Sequence, residues 1–255
     1  MNAHPVNRFK ARLGKEQQIG YFSTLAAPVV DELLGSTGFD WVLIDTEHSP
    51  VDMAGVVSHL QAVKGTPTSA IVRPAWNDMV LIKRILDQGA QSLLIPYVET
   101  VEEARQAVSY MRFPPTGVRG VSGGSRAANY GQTPGYFAAA EKELCLLVQI
   151  ESEGALGRIE EIAAVEGVDG VFIGPSDVAA SMGHIGNAQH PDVQAAINEG
   201  FRKLKAMGKP SGYLTTNEAE AQRRIAEGVD FVGVTTDATL MVRAATAIVQ
   251  KMKAK

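Results

Sequence analysis

Short apolar runs rich in Val, Ile and Leu recur eight times along this chain, each followed by a polar turn and then a segment with helical spacing. The runs cover residues 19–23, 41–45, 69–73, 92–96, 145–151, 170–174, 211–214 and 231–235. Helical spacing falls near residues 29–36, 53–63, 79–88, 101–111, 155–164, 192–207, 218–227 and 238–251. Asp78 precedes the third helical segment, Thr100 with Glu103 forms a capping-box pattern at the fourth, and Asn217 precedes the seventh. Gly89, Gly208 and Gly228 fall just past helical patterns, where a left-handed residue is wanted. Strand and helix in strict alternation imply parallel strands joined by crossover helices, and near-continuous apolar runs suit strands covered on both faces. Eight such units in 255 residues predict an α/β chain folded as one (β/α)8 TIM barrel domain over residues 1–255. A doubly wound open sheet is the alternative.

Two strand-to-strand intervals are longer than the rest. The first holds the glycine-rich stretch GVRGVSGGSRAANYG (residues 117–131) and a short helical pattern at 136–142; the second holds SMGHIGNAQHP (residues 181–191). The net charge is −4 and no Lys/Arg cluster forms a stripe that could neutralise successive phosphates, which argues against nucleic-acid binding. The lone Cys145 lies in an apolar run, so no internal disulfide is expected and the thiol reads as a small core residue. The first residues lack the apolar stretch of a signal peptide, and no run approaches the ~20 apolar residues of a membrane span. A cytoplasmic protein with no membrane contact is the expectation.

In a barrel the carboxyl ends of the strands form the active-site face, so polar residues that end apolar runs are the ones to collect. The second run ends in Asp45 with Glu47 and His48 beyond, the third in Arg73, the fifth in Gln149 and Glu151, and the sixth in the GPSD turn with Ser176 and Asp177. Two carboxylates from adjacent strands, Glu151 and Asp177, repel one another unless a cation sits with them. Hard oxygen donors point to Mg²⁺ or Mn²⁺, with Co²⁺ and Zn²⁺ as alternatives and no organic cofactor. Otherwise Glu151 caps the following helix and Asp177 merely lies in its own first helical turn. His48 is either a base or an anchor for its loop, and Arg73 either an oxyanion donor or the ion-pair partner of Asp45 or Glu47. No lysine ends a strand, so Schiff-base chemistry has no candidate, and a carbon–carbon bond could be made or broken here only with a metal as electron sink.

These residues stand in stretches that resemble the HpcH/HpaI family of metal-dependent pyruvate aldolases, within the phosphoenolpyruvate/pyruvate barrel superfamily. The matching stretches are DWVLIDTEHSP (40–50), VRPAWND (72–78), IKRILDQGAQSLLIPYVET (82–100), the glycine-rich stretch, VQIESEGAL (148–156), GVFIGPSDVAASMG (170–183) and GVTTD (233–237). The resemblance implies Glu151 and Asp177 as metal ligands, with Gln149, Asp177 and the backbone of Ser176 holding pyruvate. It implies Arg73 as the donor that stabilises an enolate, His48 as the base, and Asp87 as the carboxylate that raises the basicity of that histidine. It further implies a homo-hexamer, a trimer of dimers, with the C-terminal helix packed on a neighbour. Thr46 stands where relatives often carry glycine, and SGYLTT (211–216) departs from the usual loop.

The activity so implied is reversible cleavage of 4-hydroxy-2-oxo acids to pyruvate and an aldehyde, the substrate being a 4-hydroxy-2-oxo diacid or a 2-keto-3-deoxy sugar acid. Glu47 reads either as an acceptor for water at the cation or as the partner of a nearby cation. Arg119 and Arg126 read either as anchors of the glycine-rich loop or as contacts for the aldehyde. A lyase acting on malyl-CoA or citramalyl-CoA and a non-catalytic 2-oxo-acid-binding barrel are the alternatives; the first lacks a compact basic cluster for the CoA phosphates.

Overall fold

Eight parallel strands pair in chain order, and the last returns to the first. They are β1 (Gln18–Ser23), β2 (Trp41–Asp45), β3 (Ser69–Arg73), β4 (Ser92–Ile95), β5 (Cys145–Ile150), β6 (Gly170–Ile173), β7 (Ser211–Leu214) and β8 (Phe231–Thr236). The computed structural model describes residues 6–254, and the pairing of β1 with β8 closes the barrel and removes the open-sheet alternative. Between and around the strands run α1 (Arg8–Arg12), α2 (Pro28–Leu34), α3 (Met53–Val63), α4 (Met79–Asp87), α5 (Val101–Met111), α6 (Tyr136–Glu143), α7 (Glu153–Gly157), α8 (Ile159–Ala163), α9 (Pro175–Ser181), α10 (Pro191–Ala206), α11 (Glu218–Glu227) and α12 (Asp237–Lys253). No helix among the described residues is long and apolar enough to cross a membrane.

Every apolar run of the sequence is a strand, and the end signals act as read. Asp78 accepts from the backbone N–H groups of Val80 and Leu81, Thr100 and Glu103 form the reciprocal capping box, and Asn217 caps α11. Gly89, Gly208 and Gly228 all have positive φ. The stretch at 155–164 differs: α7 and α8 break at Arg158 (φ −109°), whose guanidinium donates to the Glu99 carbonyl at 3.1 and 2.9 Å. Gly154 and Gly157 weaken any continuous helix there.

Successive side chains on a strand point to opposite faces, so alternate positions fill the barrel interior. Phe22, Trp41, Leu43, Ile71, Leu94, Cys145, Leu147, Phe172 and Phe231 form that buried cluster, with Cys145 as the small core residue expected of it. Two glycines make room for the rings: a Cβ on Gly20 would come within 2.1 Å of Trp41, and one on Gly212 within 2.2 Å of Phe231. Phe9 of α1 meets Phe231 edge-on at 5.5 Å and plugs the amino-terminal end. The same alternation carries Trp41 and Leu43 on to Asp45, Ile71 on to Arg73, and Leu147 on to Gln149. Polar groups therefore arrive on the inward face at the carboxyl-terminal rim. The opposite positions, among them Ile44, Val72, Leu93, Val148 and Val171, pack outward against Ile82, Leu86, Ile162 and Ile197 of the helices.

One outer helix inverts the usual pattern. In α2 the inward position is Asp31, fully buried, while Val29 and Leu33 face outward. Asp31 accepts from the Tyr21 hydroxyl and the Ser23 hydroxyl, each at 3.1 Å, and stands 2.5 Å from His59 Nδ1 of α3. Removing one member of a buried charged network leaves its partners unsatisfied. Asp31→Ala is therefore expected to lower unfolding free energy by about 3 kcal/mol or more in urea titration, whereas an unchanged midpoint would mean the network contributes nothing to stability.

Candidate active site

Backbone register brings the second and third strands together at the rim, pairing Asp45 with Arg73. Arg73 is gripped in two places: Nε donates to Asp45 Oδ1 at 2.9 Å and Nη2 to Asp45 Oδ2 at 2.7 Å. That fork fixes the guanidinium plane and leaves Nη1 pointing at Glu47 Oε2, 2.9 Å away, and at Gln149 Oε1, 3.4 Å away. The structural ion pair and an inward-facing donor are thus both present in one side chain. Burial alone would lower the Arg73 pKa, but its hydrogen bonds and the charges of Asp45, Glu47 and Glu151 raise it above its ordinary value.

The turn after β2 is built by Asp45 as well. Its Oδ1 accepts from the backbone N–H groups of Glu47 at 3.0 Å and His48 at 3.4 Å, and the Thr46 hydroxyl donates to the Arg73 carbonyl at 2.7 Å. His48 does not anchor this turn. Its imidazole is 64% exposed, with Nε2 3.8 Å from Glu47 Oε2. Glu47 Oε2 is buried and takes no aligned hydrogen bond even though Arg73 stands close, so it retains acceptor capacity. Burial is the largest cause raising the Glu47 carboxyl above its usual range, opposed by Arg73.

Glu151, 1% exposed, is not a helix cap; Ser152 caps α7 through the Ala155 N–H. The Glu151 carboxylate instead accepts from Gln149 Nε2 at 2.8 Å and from the Tyr97 N–H at 3.0 Å. It packs on Gly174, where a Cβ would come within 2.8 Å of Oε1 and 3.1 Å of Gln149 Nε2, so the glycine of the GPSD turn leaves the space these two side chains use. Asp177 lies in the first turn of α9 and accepts from the Tyr97 hydroxyl at 3.1 Å. Burial, opposed by the Tyr97 N–H and reinforced by the charges of Asp177 and Glu47, pushes Glu151 up to about 8. Tyr97 itself is pushed up to about 12, first by burial and then by Asp177, and so remains a donor.

The donor set fits a hard divalent cation. Oxygen carboxylates from β5 and α9, a buried Glu47 oxygen without an aligned hydrogen bond, and a Glu151 that resists ionisation when alone are what Mg²⁺ or Mn²⁺ accommodates. A second cluster, His184, His190 and Asp192, lies in the second insertion; its sequence separation hides it, because a loop folds the two rings together. Those imidazoles stack face to face at 3.6 Å and 14°, whereas ligation uses the in-plane lone pair of each ring.

The glycine-rich stretch lies between α5 and α6, within the connection that leads from α5 to β5, so it lies at the amino-terminal end of the barrel, away from Glu151 in the same chain. There Arg119, buried over the Phe113 ring, donates to Asp87 Oδ1 at 2.7 Å, and Arg126 donates to the Gln88 carbonyl. Both arginines are loop anchors in this chain. Asp87 ends α4 at that same amino-terminal end, while His48 sits at the rim. Tyr97, which touches both Glu151 and Asp177, escapes the sequence reading. The signal that could have found it is an aromatic residue directly after the fourth apolar run and Pro96.

The HpcH/HpaI aldolase/citrate lyase family model matches residues 18–244. The chain is 51% identical to a hydroxypyruvate/pyruvate aldolase from Sagittula stellata, covering 95% of this chain and 96% of that one. It is 49% identical to a 5-keto-4-deoxy-D-glucarate aldolase from Salmonella paratyphi A, covering 92% and 93%. A crystal structure of an HpcH/HpaI aldolase/citrate lyase family protein from Burkholderia cenocepacia superposes with a TM-score of 0.95 at 35% identity, covering 98% of this chain and all of that one. With a rim of carboxylates around one fixed arginine and this likeness over nearly its whole length, the chain belongs to the HpcH/HpaI aldolase/citrate lyase family.

Proposed function

We propose that this protein is a divalent-metal-dependent aldolase that reversibly cleaves 4-hydroxy-2-oxo acids to pyruvate and an aldehyde, acting as a cytoplasmic homo-oligomer of single barrel domains. The reading is carried by the buried Glu151 carboxylate, which Tyr97 joins to Asp177 through its N–H and hydroxyl, with Glu47 alongside on Arg73 Nη1. Glu151 and Asp177 would hold the cation, Mg²⁺ or Mn²⁺ first and Co²⁺ or Zn²⁺ otherwise. Bound there, such an ion supplies Lewis acidity that makes the methyl protons of a 2-oxo acid removable.

The chain's own residues do the rest. Gln149, with its amide fixed between Arg73 and Glu151, and the Ser176 backbone at the start of α9 would orient pyruvate. Arg73 Nη1 would stabilise the oxyanion that develops on the 2-oxo acid, a contribution of about 3 to 4 kcal/mol for a well-placed donor. His48 would take the proton from the C4 hydroxyl in cleavage and return it in addition. Glu47 Oε2, paired with Arg73 but without an aligned hydrogen bond, would accept from water in the site. The related chains named for hydroxypyruvate/pyruvate and 5-keto-4-deoxy-D-glucarate favour hydroxylated sugar acids as the substrate class here.

The assembly we propose is a hexamer, a trimer of dimers. Beyond its first turn α12 is exposed along its length, including Met241, Val242, Ile248, Val249 and Met252, and α2 adds Val29 and Leu33. Contiguous exposed apolar surface of this kind is what an interface covers. The oligomer also accommodates Asp87. Because Asp87 and His48 stand at opposite ends of one barrel, an aspartate that raises the basicity of His48 would have to come from a second copy.

A panel of 4-hydroxy-2-oxo acids should release pyruvate only when Mg²⁺ or Mn²⁺ is present and fall silent in EDTA; turnover surviving EDTA, or inactivation by borohydride with pyruvate, would point to a Schiff base instead. In the metal-free protein, the folded state holds the Glu151 proton more tightly than the unfolded chain does. Stability from that group is therefore present below about 4.5 and lost as pH rises towards about 8. Melting midpoints of wild type minus Glu151→Gln should decline across that window, and a flat difference would mean Glu151 titrates normally. His48→Ala and Asp87→Asn should each be inactive alone yet recover activity when unfolded together and reassembled, and no recovery would confine both roles to one copy.

A further inference from the structure

The turn between β4 and α5 holds a tyrosine in a backbone conformation that side-chain-bearing residues seldom adopt, with φ +50° at Tyr97. Three consecutive N–H groups keep it there. Tyr97 N–H reaches Glu151 Oε2 at 3.0 Å, Val98 N–H reaches the Gln149 carbonyl at 3.1 Å, and Glu99 N–H reaches Glu103 Oε2 at 2.7 Å. Strain persists where neighbouring bonds over-determine the backbone, and it concentrates where a side chain must be aimed.

The aim here is specific. The Tyr97 hydroxyl donates to Asp177 Oδ1 at 3.1 Å, the one hydrogen bond reaching that carboxylate among the described residues. Its ring stacks on Trp76 from the β3–α4 turn, with centroids 5.9 Å apart and planes at 25°, and Trp76 remains 55% exposed at the rim. One residue from the fourth strand's turn therefore ties a carboxylate from β5 through its backbone to a carboxylate from α9 through its side chain. A half-buried aspartate without that bond would rotate about χ1 and χ2 and lose that freedom when an ion binds.

We propose that Tyr97, braced by Trp76, is a positioning residue that sets the affinity of this site for a divalent cation by fixing the Asp177 carboxylate relative to Glu151. It acts through the two carboxylates and needs no contact with substrate. This rests on the reading of Glu151 and Asp177 as cation ligands.

The test is Mn²⁺ binding to the full-length, metal-stripped protein, followed by electron paramagnetic resonance of the free ion, with melting midpoints in parallel. Tyr97→Phe removes only the hydroxyl and is expected to weaken Mn²⁺ binding about tenfold, with the metal-free melting midpoint held and pyruvate release recovering as Mn²⁺ is raised. Tyr97→Gly relieves the backbone strain while also losing the phenol. It should bind Mn²⁺ as weakly as Tyr97→Phe and melt no lower, which separates positioning from general loss of structure. Trp76→Ala should give a smaller loss of the same sign. Unchanged Mn²⁺ affinity in Tyr97→Phe, with wild type binding normally and Glu151→Gln not binding, overturns this proposal and leaves the metal reading intact. Wild type that binds no Mn²⁺, or Glu151→Gln that binds as wild type does, overturns both.

Discussion

Four carboxylates, Asp45, Glu47, Glu151 and Asp177, crowd the carboxyl-terminal end of the barrel around one guanidinium, that of Arg73. Asp45 holds Arg73 in a two-point grip through Nε and Nη2, which leaves Nη1 facing Glu47 Oε2 at 2.9 Å. Burial is the largest cause raising the Glu47 and Glu151 carboxyls above their usual range, the charges of neighbouring carboxylates add to it, and Arg73 opposes it. A cluster of this kind is stable with a proton on Glu151 or with a divalent cation among the oxygens, and unfavourable with neither. If Glu151 and Asp177 hold a cation as proposed, it would compete there with the proton and link the site to pH and metal supply.

The barrel supplies the geometry that makes the crowding possible. Aromatic rings from β2, β6 and β8, seated over glycines of β1 and β7, fill the interior so that water is excluded beneath the rim. The two-residue repeat of each strand then delivers Asp45, Arg73 and Gln149 above that plug on the same inward face. Gly174 performs the corresponding service at β6, leaving room for the Glu151 and Gln149 side chains that a larger residue would displace. Fixed side chains of this kind need no reorganisation when charge develops, which is where electrostatic catalysis gains most.

Much of this is legible in the sequence because it is local. Apolar runs mark the strands, Thr100 with Glu103 marks a helix start, and polar residues ending an apolar run mark the rim. What is hidden depends on partners far away in the chain. Tyr97 matters through Glu151 and Asp177, contacts made across three elements. Asp31 turns inward against the apolar logic of α2 because Tyr21, Ser23 and His59 surround it. The glycine-rich stretch sits at the opposite end from the carboxylates because it belongs to the connection from α5 to β5, by way of α6, rather than to a strand-to-helix turn. That distinction is topological, and residue chemistry alone does not carry it. The exposed apolar residues of α12 satisfy helical periodicity equally well against a barrel or a neighbour, so periodicity cannot say which.

Anomalous diffraction at the manganese edge from crystals grown with Mn²⁺ and pyruvate would locate the ion directly. The expected peak lies within about 2.0 to 2.6 Å of carboxylate oxygens of both Glu151 and Asp177, with Arg73 still held by Asp45. A peak at His184 and His190 instead, and none between those two carboxylates, would contradict it.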